Sequence, residues 1–419
     1  MIRSLSNIKQ VIYMKLKIVK IAIVVSILCL YLFSTGCTGV ERNPIGFSGV
    51  ECQDGILYIG SSDGRVVAVN PASREVGQEF PSSDSEWSYS PKVPSKGFSC
   101  GSSAAPVSIY GTPVVTDGLI CVGIYNGKVS MISPLARNNN SAFPQLKDGE
   151  WSYPRSDDIL IEPIVGMPAV NGDSVYACCS DGRVYALDRS YGDELWRSEP
   201  LDDKLWVTPL IKDGTLYVST FDGHIYALST DDGKLLPWSF KAEAGFVSSP
   251  ALYQDVIYVG SFDRNLYAVR IGDDAPLWKF SAGNWFWSTP LVENGIVYAG
   301  CLDGKVYALN ALTGDKLWEF DARDPLVSSP ILVDDLLIVA SETGNIYFLD
   351  KQTGTGERLS NFEEPGNENI TTTGSLIRSS LCNYEGVLYV HTQNDMVLAI
   401  DIESERLSWK FSLVNKEDK

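Results

Sequence analysis

The chain offers few residues of the kinds that most often perform catalysis. It contains two histidines among 419 residues, with His224 expected in an exposed turn and His391 in a strand. A histidine metal cluster needs several imidazoles, and a serine–histidine–aspartate triad needs one beside its nucleophile. No glycine-rich phosphate loop follows a strand and opens a helix. These observations predict no catalytic residues and no metal site.

The N-terminal residues resemble a signal peptide that ends at a cysteine. Three lysines precede an apolar run from Ile21 to Phe33, and Gly36-Cys37 follows. This run of thirteen residues is too short to span a bilayer comfortably but suits a signal-peptide core. The pattern predicts a lipoprotein signal peptide over residues 1–36, with Cys37 lipidated. An uncleaved anchor or an ordinary secretory signal are the alternatives, and Met14 is an alternative start.

Among the remaining cysteines, Cys178 and Cys179 are interpreted as two small strand thiols. Removing Cys29 and Cys37 from the nine cysteines leaves seven, an odd number in an oxidising compartment, so at least one thiol stays unpaired. Cys178 and Cys179 are adjacent in a predicted strand. Neighbouring strand residues point to opposite faces, so this pair is expected to pack into two different layers.

The elements that must position these residues come from an internal repeat. The phrase that begins at Asp181 and reads Asp-Gly-Arg-Val-Tyr-Ala-Leu has seven counterparts, spaced by 41, 41, 40 and 40 residues between Asp181 and Thr343. That period is typical of four-stranded propeller blades. A second constant spacing puts a proline thirteen residues before the first residue of most of these phrases. Val50 and Leu381 stand in its place in the first and last units. We call this the proline column.

Each unit reads as four short strands separated by Asp/Gly turns. The sequence therefore predicts an all-β fold, an eight-bladed β-propeller of four-stranded antiparallel blades, over residues 46–413. A tether over residues 37–45 precedes the propeller, and a tail over residues 414–419 follows it. No blade is expected to borrow a strand. A tryptophan in each outer strand is expected to fill the wedge between blades, except in unit seven, where Arg358 stands instead; these residues are Trp87, Trp151, Trp196, Trp238, Trp278, Trp318 and Trp409.

A candidate binding site lies where the inner strands begin. Three residues before the proline column, four aromatic side chains and one arginine are predicted to ring the mouth of the central channel. Such a collar could stack a planar or sugar-like small molecule or hold a side chain of a partner; the alternative is that it only plugs the channel. The residues are Phe47, Tyr110, Trp206, Trp287 and Arg378.

The repeat motifs Asp-Gly-x-Val-Tyr-Ala-Leu, Thr-Gly-x-x-Leu-Trp and Tyr-Val-Gly-Ser make the chain resemble the pyrroloquinoline-quinone-type (PQQ-like) propeller family. Two groups share this repeat. Quinoprotein dehydrogenases hold the quinone with Ca²⁺, an Asp base and a vicinal disulfide, whereas the BamB lipoproteins of outer-membrane barrel assembly hold no cofactor. The resemblance implies a vicinal disulfide only for the first group, and no calcium cage or base can be assigned in this sequence. We therefore expect no cofactor, with quinone and Ca²⁺ as the alternative.

Two further cysteines could close the ring. Cys52 and Cys382 lie two and one residues after the proline column in blades one and eight, which must meet, and their side chains point to opposite sheet faces. A disulfide here would close a loop of almost the whole propeller and contribute up to about 5 kcal/mol in the chain-entropy model. It requires β-carbons within about 4.5 Å of each other.

Charge and loop length indicate the partners. Without its leader the chain has 29 basic and 52 acidic residues, a net charge of −23, which repels nucleic acid and anionic lipid. Connections from outer to inner strands are enlarged over residues 91–109 and 360–373, which include Phe98 and Phe362. Long loops in a compact repeat usually have a function or are disordered. These loops are predicted to dock an integral membrane protein beside the lipid anchor.

Taken together, these patterns predict an exported, lipid-anchored, monomeric propeller on the extracytoplasmic side of a membrane. The predicted role is a non-catalytic binding and assembly scaffold for a membrane-associated protein. A quinone-dependent or degenerate quinoprotein enzyme is one alternative. A cell-surface ligand-binding or sensor propeller is another.

Overall fold

The computed structural model describes residues 48–74, 78, 80–90, 108–138, 143–156, 159, 161–246, 248–359 and 375–413. These residues form eight four-stranded antiparallel sheets, and in every sheet the strands follow one another in chain order. The predicted eight-bladed propeller is confirmed. Among the described residues, helix is confined to the short helix α1 (Pro134–Asn138) and two 3₁₀ turns, Pro71–Ser73 and Leu146–Asp148.

The strands of the first four blades have these bounds. Blade one contains β1 (Val50–Gln53), β2 (Ile56–Gly60), β3 (Val66–Val69) and β4 (Trp87–Tyr89). Blade two contains β5 (Val114–Thr116), β6 (Leu119–Ile124), β7 (Lys128–Ile132) and β8 (Trp151–Tyr153). Blade three contains β9 (Ala169–Asn171), β10 (Ser174–Cys178), β11 (Val184–Asp188) and β12 (Glu194–Arg197). Blade four contains β13 (Leu210–Lys212), β14 (Thr215–Ser219), β15 (His224–Ser229) and β16 (Leu235–Lys241).

The remaining four blades repeat the pattern. Blade five contains β17 (Ala251–Tyr253), β18 (Val256–Gly260), β19 (Asn265–Arg270) and β20 (Trp278–Ser281). Blade six contains β21 (Leu291–Glu293), β22 (Ile296–Gly300), β23 (Lys305–Asn310) and β24 (Lys316–Asp321). Blade seven contains β25 (Ile331–Val333), β26 (Leu336–Ala340), β27 (Ile346–Asp350) and β28 (Gly356–Arg358). Blade eight contains β29 (Cys382–Tyr384), β30 (Val387–His391), β31 (Met396–Asp401) and β32 (Arg406–Ser412).

The repeated aspartate organises the turn between the second and third strands. In blade three, one oxygen of Asp181 accepts the Arg183 amide at 2.9 Å, and the other accepts the Tyr185 hydroxyl at 2.7 Å. Gly182 between them has a φ of 80°, which glycine adopts without strain. The same pair of hydrogen bonds forms at Asp303, from Lys305 and Tyr307. The Asp-Gly-x-x-Tyr signature therefore forms a turn whose aspartate is hydrogen-bonded to the third strand, which begins directly after it.

The outer tryptophans join neighbouring blades. Trp151 of blade two donates its indole N–H to the Arg189 carbonyl of blade three at 2.7 Å, and its ring lies against Gly192. Trp278 and Trp318 repeat this contact at Ala311 and Lys351. Blade seven has Arg358 in that place, which donates to Asn345 of its own blade at 3.4 Å. Trp151, Trp278 and Trp318 therefore each provide both a packed ring and a polar link across a blade interface.

The hydrophobic core of the described residues is divided among the blade interfaces. The hydrophobic clusters combine residues from the strands of two adjacent blades. In one of them, Val129 and Trp151 of blade two pack with Val175 and Leu187 of blade three. Small residues let the inner strands approach one another. A β-carbon on Gly166 would overlap the Val207 carbonyl of the next blade. The core thus consists of a ring of blade interfaces around the channel, and we call each of these interfaces a seam.

The seam between the last and first blades has a buried polar network. Asp395 of blade eight accepts the Ser62 amide of blade one at 2.9 Å and the Ser62 hydroxyl at 2.5 Å. His391 lies 3.0 Å from Asp395 through Nε2 and 2.8 Å from the Ser48 carbonyl through Nδ1. Both His391 and Asp395 are 1% exposed. Blade eight is thus connected to blade one by hydrogen bonds, without a shared strand.

Candidate binding site at the channel mouth

The predicted collar residues line one cavity at the mouth of the central channel. Tyr110, Trp206, Trp287 and Arg378 all face a cavity of about 610 Å³. They precede the inner strands of blades two, four, six and eight, so a planar side chain enters the cavity from every second blade. The fifth predicted residue, Phe47, lies outside the described residues.

A second ring of side chains at the same mouth was not predicted. It comes from the residue immediately before the turn aspartate or its equivalent, where Tyr125 and Phe221 face the cavity and Phe262 lies beside it. Glu342 occupies this position in blade seven. The signal was present in the sequence, since these residues precede the repeat phrase by one. Both rings lie on one face, because the second-to-third strand turns and the outer-to-inner connections share that face.

Five aromatic side chains on one side of the mouth form a connected cluster, which we call the mouth cluster: Trp206, Phe221, Phe262, Trp285 and Trp287. Trp206 packs edge-on against Phe221 at 5.0 Å between ring centroids, and Phe221 contacts Phe262 at 5.7 Å. Phe262 in turn meets Trp285 at 4.8 Å and Trp287 at 6.4 Å. Trp285 is 38% exposed. The mouth cluster therefore presents a continuous, partly solvent-accessible aromatic surface to a ligand or partner.

An ion pair and several neutral polar groups are placed around this surface. Arg378 donates to Glu342 from Nε at 2.8 Å and from Nη2 at 2.5 Å. Trp206 donates its indole N–H to the Ser180 hydroxyl at 2.8 Å. Burial and the neighbouring Tyr125 raise the pKa of the Tyr110 phenol to about 12, so it stays a neutral donor. The site thus combines stacking surface with one ion pair and neutral hydrogen-bonding groups.

Small hydroxyl residues form the wall below the aromatic side chains. Thr208 donates its amide to the Ser249 hydroxyl at 3.0 Å, and Thr289 does the same to Ser329 at 3.1 Å. The described residues that line the cavity include no histidine, cysteine or carboxylate. This lining favours recognition by shape, stacking and hydrogen bonding.

The adjacent cysteines lie in different seams, as strand geometry predicted. Cys178 packs between blades three and four, and Cys179 packs between blades two and three. Burial raises the pKa of both thiols. Neither side chain lines the mouth cavity. The two sulfurs therefore serve the core on opposite sides of one sheet.

The other histidine belongs to a surface cluster in blade four. His224 begins β15 rather than lying in the turn before it, and ligand atoms of His224, Asp202 and Asp222 lie within 4.8 Å of one another. The Lys241 ammonium already lies among them, 3.0 Å from Asp222 and 3.2 Å from His224. Burial opposes ionisation of Asp222, but hydrogen bonds from Thr220, Lys241 and His224 outweigh it and lower the carboxyl pKa to about 2. A lysine thus provides the positive charge of this cluster.

Several predicted residues cannot be placed. Cys37, Phe98 and Phe362 lie outside the described residues. No helix in the described part of the chain is both long and apolar enough to cross a membrane.

Solved structures of other proteins share this architecture. The crystal structure of BamB from Moraxella catarrhalis is similar, with 18% identity, a TM-score of 0.58, and coverage of 83% of this chain and 91% of that one. The computationally designed Ika8 protein is also similar, with 14% identity, a TM-score of 0.62, and coverage of 84% and 95%. These likenesses show a shared fold. No curated protein sequence matches the chain.

A family model matches the sequence itself. The model described as "Outer membrane protein assembly factor BamB" matches residues 45–198, 156–252, 180–273 and 236–416, which together span every blade. The chain therefore belongs to the PQQ-like propeller family of the outer membrane protein assembly factor BamB.

Proposed function

We propose that this protein is a lipid-anchored, non-catalytic scaffold that binds a membrane-associated protein during outer membrane protein assembly. The observation that carries the proposal is the family match across residues 45–416, the full propeller. A propeller gives such a scaffold a rigid frame, because each blade is a complete sheet locked to its neighbours. Its binding residues then lie on a surface that is already formed before the partner arrives.

The mouth face is the surface we assign to the partner. The described chain enters β1 on this face, since Gly49 lines the mouth cavity. A tether of eight residues from Thr38 to Ile45 spans at most about 28 Å, so lipidation at Cys37 would keep the mouth face close to the membrane. The enlarged connections over residues 91–109 and 360–373 join described strands on the same side. In this proposal the anchor and both connections act on the face that carries the mouth cluster.

The mouth cluster has the chemistry of an interface centre. Aromatic residues dominate the residues whose truncation costs most binding energy, and they act where surrounding contacts exclude water. Trp285 is exposed, and its ring is held by Phe262. The Trp285 side chain can be buried against a partner without rearrangement of the blade beneath it. An apolar or aromatic segment of a membrane protein fits this surface, with Arg378 and Glu342 available for polar contacts at its edge.

Trp285→Ala is expected to lower crosslinked recovery of the partner about tenfold or more, because an exposed aromatic anchor is removed while the core is untouched. The measurement is crosslinking in intact cells of the host, affinity purification of the chain, and quantification of attached membrane proteins. Tyr191→Ala is the matched control, since Tyr191 is 62% exposed in the turn between β11 and β12 on the opposite face. Unchanged recovery with Trp285→Ala, or crosslinks concentrated in residues 135–150 of the opposite face, would refute this orientation.

Cys37→Ser is expected to prevent lipidation and release the protein from the membrane fraction, because the net charge of −23 without the leader gives no electrostatic attraction to anionic lipid. Intact-mass measurement and fractionation provide the test. A serine variant that is still processed and acylated at residue 37 would contradict the proposed anchor.

The aromatic cavity of about 610 Å³ supports a second candidate, a propeller that binds a small planar ligand, including a quinone. The two functions are separated by incubating the purified protein with pyrroloquinoline quinone and Ca²⁺. We expect no stoichiometric retention and no dye reduction with alcohols. Retention with dye reduction would favour a quinoprotein enzyme, and retention alone a ligand-binding propeller.

A further inference from the structure

The blade interfaces repeat one side-chain pairing close to the channel. The residue one position after the proline column in one blade packs with the residue two positions after it in the next blade. Val114 shares a cluster with Val170, Leu210 with Leu252, and Leu291 with Leu332. At the seam between blades eight and one, the equivalent positions are Cys382 and Cys52, which share a cluster in the same way. A pair of aliphatic side chains is thus replaced by a pair of thiols at one seam.

The strands of this seam touch on both sides of the thiols, through backbone on one side and through a tyrosine side chain on the other. A β-carbon on Gly49 would lie 3.0 Å from the Ser380 β-carbon, and one on Gly55 would lie 3.7 Å from the Tyr384 hydroxyl. Cys52 and Cys382 lie between these two contacts and pack in the same hydrophobic cluster. The inner strands of blades eight and one therefore lie close together near the two cysteines.

The exposure of the two thiols differs from that of the other described cysteines. Cys52 and Cys382 are half-buried, whereas Cys121, Cys178, Cys179 and Cys301 are buried. An external oxidant can therefore reach this pair, while the buried thiols are shielded from it.

We propose that Cys52 and Cys382 form a disulfide that closes the propeller ring in an oxidising compartment. The oxidant is a protein disulfide. The thiolate of either cysteine, for example Cys382, attacks one of its sulfurs, forming a mixed disulfide and expelling the other sulfur as a thiolate. Cys52 then loses its proton and attacks the Cys382 sulfur, so the oxidant leaves as a dithiol that has gained two electrons and two protons.

The architecture explains why a disulfide would stabilise the seam between blades eight and one. The first and last blades are each built from their own segment, and no strand is exchanged between them. Every other interface joins blades that are also consecutive in the chain. The disulfide would give the remaining interface a covalent connection, in addition to the hydrogen bonds of Asp395 and His391.

The test uses the full processed chain, purified without reductant from cells that export it. Free thiols are alkylated, the protein is digested, and disulfide-linked peptides are identified by mass spectrometry. We expect a linked peptide pair containing Cys52 and Cys382, and an unfolding temperature that falls by roughly 5 °C on reduction. Alkylation of both residues in the unreduced protein, or a link from either one to Cys100, would overturn the proposal.

Two variants identify the source of the reduction effect. Cys52→Val combined with Cys382→Leu restores an aliphatic pair like those of the other seams, and should make the unfolding temperature insensitive to reductant. Cys301→Ser is the control, because the equivalent position is serine in other blades, as at Ser261 and Ser341; it should keep the full effect. A reductant effect that persists in the double variant would also overturn the proposal.

Discussion

Trp151→Ala is expected to lower the free energy of unfolding by about 3–5 kcal/mol, the range for removing a large buried aromatic side chain. Trp151 is 1% exposed, and it packs with Val129 of its own blade and Val175 of the next. Alanine would leave a cavity that the β-sheets on either side cannot collapse to fill. It would also leave the Arg189 carbonyl without the indole donor. Denaturant unfolding of the purified chain, followed by fluorescence and circular dichroism, measures the change.

Two substitutions distinguish ring packing from the hydrogen bond. Trp151→Phe keeps an aromatic ring against Gly192 but loses the indole N–H, so part of the packing and about 1 kcal/mol of hydrogen bonding are lost. Trp285→Ala is the surface control and should change stability by well under the value for Trp151. If Trp151→Ala were as stable as Trp285→Ala, the outer tryptophans would not be the wedge between blades.

Asp395→Asn is expected to destabilise the protein by about 3 kcal/mol, because it removes one charge from a buried, hydrogen-bonded network. Asparagine has nearly the same size and tolerates the positive φ of 56° at this position, so the backbone is not the cause of the loss. Asp232→Asn is the matched control, since Asp232 pairs with Lys234 at the surface; exposed pairs contribute about 0–1 kcal/mol. Equal effects of the two substitutions would contradict a role for Asp395 in holding the seam.

The pH dependence of this effect has a defined sign. Burial raises the pKa of Asp395, but hydrogen bonds from His391 and Ser62 outweigh it, and the net pKa is lowered from 3.8. A carboxyl whose folded-state pKa is lowered contributes stability above its unfolded pKa, and the contribution is lost as the pH falls through the folded value. The stability difference between wild type and Asp395→Asn should therefore be full at neutral pH and shrink below pH 3.8. A difference that grows on acidification would exclude this account.

The fold was predictable because its determinants recur. Each unit repeats a turn aspartate that accepts from a backbone amide and a tyrosine, so one local hydrogen-bonding pattern at Asp181 and Asp303 predicts the hairpins. The offset of thirteen residues to the proline column predicts the inner strands. The number of blades and the absence of an exchanged strand follow from counting complete units, and both are confirmed.

The site was predictable only in part. Tyr110, Trp206, Trp287 and Arg378 share an offset from the proline column and do line one cavity. The second ring escaped notice because residues before the turn vary in type, from Phe221 to Glu342, and no hydrophobic period marks them. The link from Ser62 to Asp395 joins residues 333 positions apart. Such a contact follows from the closure of the ring and has no local signal in the sequence.

The confinement of each sheet to one contiguous stretch of 28 to 40 residues has an evolutionary consequence. Duplication or loss of one such stretch in the gene would add or remove a whole blade and leave every remaining sheet with its four strands. Only the tilt between neighbouring blades would have to adjust. A propeller whose final sheet is completed by its first strand has less freedom, because its two ends must change together. Changes in blade number by duplication are therefore more accessible to this architecture than to one that shares strands.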